Sequence, residues 1–137
     1  QPAEAAPVYA ATASESDESS PPELAVDGDP STLWNAGAFA PQWIAIDLGA
    51  SRSIEEISLL TAQSPEGETV HRVLGRTGAA DPYRPLHEFA GFTSDDQWLT
   101  YSPPAPWENV RFLRVETTVS PSWVAWREIV IHLEPAA

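Results

Sequence analysis

From Gln42 onward hydrophobic and polar residues alternate along the chain. Ile44, Ile46 and Leu48 fall on one face, Trp43, Ala45 and Asp47 on the other, and Gly49 closes the run, the pattern of a half-buried strand ending in a turn. Runs rich in β-branched and aromatic residues follow at 54–60, 69–76, 85–89, 97–101, 110–118 and 127–133, set between clusters of Gly, Pro, Ser and Asp. One short helical turn is predicted over 22–26. Seven or more short strands with no long helical period and no internal repeat predict an all-β antiparallel sandwich or barrel, filled by alternate side chains. The 14 prolines lie mainly between these runs or in the first 22 residues, as expected of a residue that cannot donate to a sheet ladder. Trp34, Trp43, Trp98 and Trp126 are predicted to lie in the core.

Residues 1–22 break the pattern. They are rich in Ala, Pro, Ser and Glu, with Val8 and Tyr9 as the only apolar anchors, a composition that orders only when something holds it. Residues 1–12 are therefore expected to form a leader and residues 13–137 the domain, with 7–12 suited to add to a neighbouring subunit's sheet edge.

A length of 137 residues with 42% hydrophobic content suits one domain with one core. Seven basic residues against 20 acidic ones leave a net charge of −13, which repels phosphate backbones and anionic lipid, so no nucleic acid is expected as a partner. No apolar run approaches the ~20 residues of a spanning helix, so no membrane insertion is expected. With no Cys, disulfides and thiolate sites are absent. A chain that opens on Gln1 is expected to have lost a signal peptide, which points to an exported, extracellular protein.

Catalytic motifs are missing. His87-Glu88 resembles half of a zinc-protease helix, but Gly91 stands where the second His is needed. There is no Gly-x-Ser-x-Gly elbow, no phosphate-binding loop and no thiol nucleophile. No catalytic residue is assigned. The densest signal is Leu24-Ala25-Val26-Asp27-Gly28-Asp29-Pro30-Ser31-Thr32-Leu33-Trp34. Its hard oxygen donors fit either a loop wrapped around one cation or an ordinary Asp-Gly turn. An EF-hand is excluded, because Gly28 stands second from Asp27 and Ala38 holds the twelfth place.

That loop, followed by Gln42-Trp43-Ile44-Ala45-Ile46-Asp47-Leu48-Gly49, Val110-Arg111-Phe112-Leu113-Arg114-Val115 and Ala125-Trp126-Arg127-Glu128-Ile129, resembles the discoidin, or coagulation factor 5/8 type C, domain over about residues 10 to 133. The group is galactose-binding-like and includes the family 32 carbohydrate-binding modules. The resemblance implies a discoidin-type jelly-roll β-sandwich. It also implies a structural calcium ion held by Leu24 and Arg127 through backbone carbonyls and by Asp27, Asp29, Thr32 and Glu128.

The sugar face of that family is matched less well. Galactose-binding members commonly carry a His just before the first Asp, where this chain has Val26, and an Arg-Asn pair on the loop that here reads Thr61-Ala62-Gln63-Ser64-Pro65-Glu66-Gly67. Trp123, in a Pro-flanked loop, is the candidate for stacking on a sugar ring, with Gln63, Glu66 or Glu68 accepting hydroxyl hydrogens. The alternative is a Trp folded back on its own sandwich. The expected function is a secreted, non-catalytic, calcium-stabilised module attaching to a glycan or surface polymer. The alternative is a structural subunit of a self-assembling extracellular homo-oligomer or filament.

Overall fold

The computed structural model describes residues 9–134. Eight strands follow one another with a single 3-10 turn between the first two: β1 (Ala10–Ala13), the turn (Pro22–Ala25), β2 (Trp34–Asn35), β3 (Gln42–Thr61), β4 (Gly67–Arg76), β5 (Arg84–Thr93), β6 (Trp98–Tyr101), β7 (Trp107–Val119) and β8 (Ala125–Leu133). Every pairing is antiparallel.

The strand expected to stop at Gly49 instead continues to Thr61. Gly49 adopts φ +85°, its N–H bonded at 2.8 Å to the Asp47 carboxylate, and register breaks between Asp47, Arg52 and Ile54 turn the strand through a corner. A Gly can take that dihedral without a Cβ clash, so the backbone bends where a longer side chain would resist. Before the corner β3 lies between β1 and β7, and β7 leads on to β4 and β5. Beyond it β3 lies between β6 and β8, and β8 leads on to β2. One strand thus serves both layers of a jelly-roll β-sandwich.

The alternation predicted from sequence fills the space between them. Ile44, Ile46, Val73, Leu113 and Val115 from the first layer meet Ile54, Ile57, Leu59, Trp126 and Ile129 from the second, all buried. Trp34 seals one end and donates its indole N–H to the Glu15 carbonyl at 3.1 Å, the partner a buried indole needs. Two of the four tryptophans predicted for the core lie elsewhere. Trp43 points outward from β3, half-buried, and Trp98 on edge strand β6 is 50% exposed. Both have outward parity on strands that carry other residues inward, a distinction set by pairing and not by residue type.

The boundary expected between residues 12 and 13 falls inside β1. Ala10, Ala11, Thr12 and Ala13 stand opposite Asp47, Ile46, Ala45 and Ile44 of the same chain, and Ala11 is buried against the core. Three alanines have little strand propensity, so backbone pairing and one buried methyl supply what composition does not advertise. The earlier part of the expected leader, residues 1–8, lies outside the described residues.

Candidate functional site

Two regions flank β8, and successive residues of that strand serve them. Arg127 extends outward to Asp95, its Nη2 at 3.0 and 2.9 Å from the two carboxylate oxygens. Glu128, one residue on and of opposite parity, is buried and accepts the Gly28 N–H at 3.1 Å.

The Glu128 side leads to the Asp-Gly-Asp loop. The 3-10 turn, with Pro22 in its first position, carries Leu24 to the loop, and Gly28 at φ +78° lets the chain double back between the two Asp residues. The Thr32 hydroxyl sits among three acceptors, the Asp27 carboxylate at 2.5 Å, the Asp29 carbonyl at 3.0 Å and the Leu24 carbonyl at 3.3 Å. Leu24, Asp27, Thr32 and Glu128 are thus brought together. Asp29 contributes its carbonyl, while its carboxylate is turned to the Ser31 N–H at 2.9 Å and hydroxyl at 2.6 Å, which hold it below the usual carboxylate range.

Among the described residues no three His, Cys, Asp or Glu side chains close around a common point, so backbone and hydroxyl oxygens complete this donor set. Glu128 shows the strain of the arrangement. Burial first, then the charge of Asp27, a side-chain hydrogen bond shared with its carboxylate and the charge of Asp29, push its carboxyl up to about 7 against the pull of the Gly28 N–H. Its Oε1 is shielded from water and has no hydrogen-bond partner. A buried carboxylate oxygen without a donor, beside two further carboxylates, fits a hard cation better than it fits an empty turn.

The Arg127 side opens on a cleft of about 460 Å³ drawn from four stretches of chain. Trp123, 49% exposed, and Phe39, 60% exposed, both line it. Their loops lie side by side because the Val124 carbonyl accepts the Ala36 N–H at 2.8 Å and the Val124 N–H bonds the Ala38 carbonyl at 3.0 Å. Asp95 and Arg127 form the polar side of the cleft. Burial opposes the Asp95 charge, but the Gln63 and Asp96 N–H groups and Arg127 hold its carboxyl below the usual range.

The loop walls are braced from beneath. The Ser64 N–H bonds the Ser122 hydroxyl at 3.1 Å, and that hydroxyl donates to the Trp123 carbonyl at 3.0 Å. Gly67 packs so closely under Pro121 that an added Cβ would stand 2.9 Å from its Cγ. Below these, Thr93 donates to the Gln63 side-chain oxygen at 2.6 Å and lies 2.8 Å from the Thr69 hydroxyl. Deeper still His71 holds Thr117 at 2.7 Å and meets the Trp126 ring edge-on at 4.6 Å. Burial lowers the His71 pKa to about 4.

This bracing corrects part of the predicted ligand set. Gln63 lies in the cleft wall but is buried, with its amide oxygen taken by Thr93 and its nitrogen donated to the Pro65 carbonyl at 3.2 Å and the Thr93 carbonyl at 3.1 Å. Its amide is thus already engaged in shaping the loop. Glu66 and Glu68 do not line the cleft. The chain turns away at Pro65, and Glu68 stands on β4 opposite Phe92. Phe39 and Asp95 were not singled out from sequence. A Phe in a Gly- and Pro-bounded loop and a paired Asp95-Asp96 turn were the available signals, and neither says which loops meet.

Known structures share this architecture. The family 32 carbohydrate-binding module of NanJ from C. perfringens, solved with galactose, is 15% identical with a TM-score of 0.77, covering 90% of this chain and 92% of its own. The family 32 module of AlyQ, solved with 4,5-unsaturated mannuronic acid, is 23% identical with a TM-score of 0.72 over 89% of this chain and 92% of its own. A pectin-binding carbohydrate-binding module is 24% identical with a TM-score of 0.73 over 96% and 94%. Among curated proteins none matches the chain in sequence. The F5/8 type C domain model matches residues 10–129, a span that takes in β1, the Asp-Gly-Asp loop, the corner strand and β8 as far as Glu128 and Ile129. With the sandwich, the bent strand and the loop docked on β8 all in place, the chain belongs to the F5/8 type C domain family.

Proposed function

We propose that this chain is a secreted, non-catalytic glycan-binding module whose cleft seats a sugar between exposed aromatic faces and the Asp95–Arg127 pair. The observation that carries this reading is the exposure of Trp123 and Phe39 in one cleft whose walls are fixed by buried hydrogen bonds. A flat ring held open to solvent offers its face to the C–H face of a sugar, and the carboxylate and guanidinium offer acceptors and donors to hydroxyls. Two rigid walls lower the ordering cost of binding. Structural neighbours solved with galactose and with an unsaturated mannuronic acid support the class of ligand. The test is a glycan array followed by titration calorimetry on wild type and Trp123→Ala. Binding that survives this substitution unchanged places the sugar elsewhere.

Calcium is part of the proposal. Leu24 and Arg127 through carbonyls, Thr32 through its hydroxyl, and Asp27, Asp29 and Glu128 would hold the ion. When bound, it would supply a double positive charge that offsets the Asp27 and Glu128 carboxylates and ties the first loop to the last strand. The orphaned Glu128 oxygen supports this assignment. Because the unfolded chain has no assembled donor set, the ion acts as a stabiliser of the fold.

A further inference from the structure

The seven arginines are the only fully cationic side chains in a chain with 20 acidic residues, and four of them gather on the outer side of the first layer. Alternation sends Ile44, Ile46, Val73, Leu113 and Val115 into the core, and so sends Trp43, Arg72, Arg76, Phe112 and Arg114 outward. Register sets Arg76 opposite Phe112, Arg72 opposite Glu116, and Asp47 opposite Phe112. Tyr83, from the loop before β5, completes the set. The Arg114 guanidinium lies 4.4 Å from the Trp43 ring and 5.4 Å from Tyr83, Arg76 lies 4.4 Å from Tyr83 and 5.1 Å from Phe112, and Arg111 lies 5.1 Å from Phe112. The result is one unbroken ladder in which rings and guanidinium planes alternate: Trp43, Arg114, Tyr83, Arg76, Phe112, Arg111.

The ladder's charges are unevenly answered. Asp47 holds Arg111 at 3.0 and 3.3 Å. Glu116 is shared at longer range between Arg72, 3.6 Å, and Arg114, 3.5 Å, and Glu88 stands opposite Arg72 in register without pairing to it. Among the described residues Arg76 has no carboxylate within 4.0 Å, and its Nη1 reaches only the Asp81 carbonyl at 3.4 Å. The Nε atoms of Arg76 and Arg114 are shielded from water with no acceptor. A hollow of about 220 Å³ runs beside Arg76, walled by it, Tyr83, Phe112 and Asp47 and by Ala10 and Thr12 of edge strand β1.

We propose that this hollow is a second glycan site, for an acidic polysaccharide, with Arg76 taking a sugar carboxylate and Tyr83 and Phe112 taking sugar faces. Flanking rings hold the Arg76 guanidinium in place while no carboxylate occupies its edge, and a fixed fork matches a carboxylate with little further loss of freedom. The shape of the site selects a thin polymer over a second copy of this chain. At physiological salt, charges more than about 8 Å apart are largely screened, so a polymer strand in the hollow feels mainly the local arginines. A stable protein contact needs roughly 800 Å² per partner, and the hollow is sized for a sugar. The site shares no residue with the Trp123 cleft and does not depend on it.

The test measures binding of oligogalacturonate and of its fully methyl-esterified form to the full chain at physiological salt. The free acid should bind, the neutral ester about tenfold or more weaker, and added salt should weaken the acid selectively. Arg76→Gln should weaken the acid about tenfold, the loss expected for one charge-assisted contact, and should leave binding of a neutral glycan at the Trp123 cleft unchanged. Equal binding of acid and ester overturns the proposal without relying on any variant, as does absence of binding to the acid. A silent Arg76→Gln beside a Trp123→Ala that abolishes acid binding assigns the polymer to the cleft instead. Dimers in light scattering that dissociate on Arg76→Gln assign the face to a second copy, and this too overturns the proposal.

Discussion

Arg127 and Glu128 are neighbours on one strand, yet their surroundings treat charge in opposite ways. Arg127 meets Asp95 in a two-oxygen pair at the rim of the cleft, so the cleft presents charges that are already matched. Glu128 is turned inward beside Asp27 and Asp29, with one oxygen orphaned and its carboxyl pushed up to about 7. The first arrangement needs nothing added in order to be stable, and its exposed rings are free to serve a ligand. The second is under-satisfied as it stands, and the proposed cation would complete it. Alternation along β8, a period of two, separates the proposed binding region from the proposed stabilising one.

Calcium removal tests the under-satisfied side and should give the largest effect. At a calcium concentration 100 times its dissociation constant, the linkage contribution is about 2.7 kcal/mol, so chelation should lower the melting temperature by several degrees and Asp27→Ala should erase that difference. Glu128→Gln sharpens the test. The raised folded pKa means that Glu128 favours the metal-free fold while protonated, below about 4.5, and that this contribution is lost as pH rises through about 7. At pH 8, then, Glu128→Gln should stabilise the chelated protein and destabilise the calcium-loaded one. Melting curves that move in the same direction in both conditions would remove Glu128 from the ligand set.

Acid titration tests the buried support beneath the cleft. His71 has a folded pKa near 4 against 6.5 for the free side chain, so the unfolded state binds the extra proton first. Stability owed to neutral His71 should be complete above pH 6.5 and fall as pH drops through that value toward 4, by on the order of 2–3 kcal/mol. Urea unfolding across this range in wild type and His71→Gln measures it. A variant with the same pH slope as wild type would show that another group carries the dependence.

On the exposed side the effects should be smaller and confined to binding. An aromatic contact is worth about 0.5–1.5 kcal/mol beyond area burial, so Trp123→Ala should weaken a cleft-bound glycan several-fold. Its melting temperature should stay near that of wild type, because Trp123 is half-exposed. A large fall in melting temperature would move Trp123 from the binding surface to the core. Arg127→Gln should change stability least, by under about 1 kcal/mol, since its partner Asp95 is about half exposed to solvent. A loss of several kcal/mol in thermal or urea unfolding would mean that the two sides of β8 are coupled.

Much of this molecule was legible in one dimension. A period-two pattern of Ile44, Ile46 and Leu48 names the buried face of a strand whatever that strand pairs with, because burial on a pleated sheet depends on parity. The donors of the Asp-Gly-Asp loop lie within nine residues, so local geometry brings Leu24, Asp27 and Thr32 together. Other features depended on partners far along the chain. Whether Gly49 ends a strand or bends it depends on β8 and β6 waiting beyond the corner. That Gln63 is spent on Thr93, that Phe39 joins Trp123, and that Asp95 faces Arg127 follow from loops 30 to 90 residues apart meeting at one end of the sandwich. The sequence by itself determined the strand faces, most of the core and the grouping of Leu24, Asp27 and Thr32, because these depend on parity and short loops. Only the tertiary structure decided which outward residues share a surface, the cleft and the arginine ladder alike, because strand order and register set those neighbours.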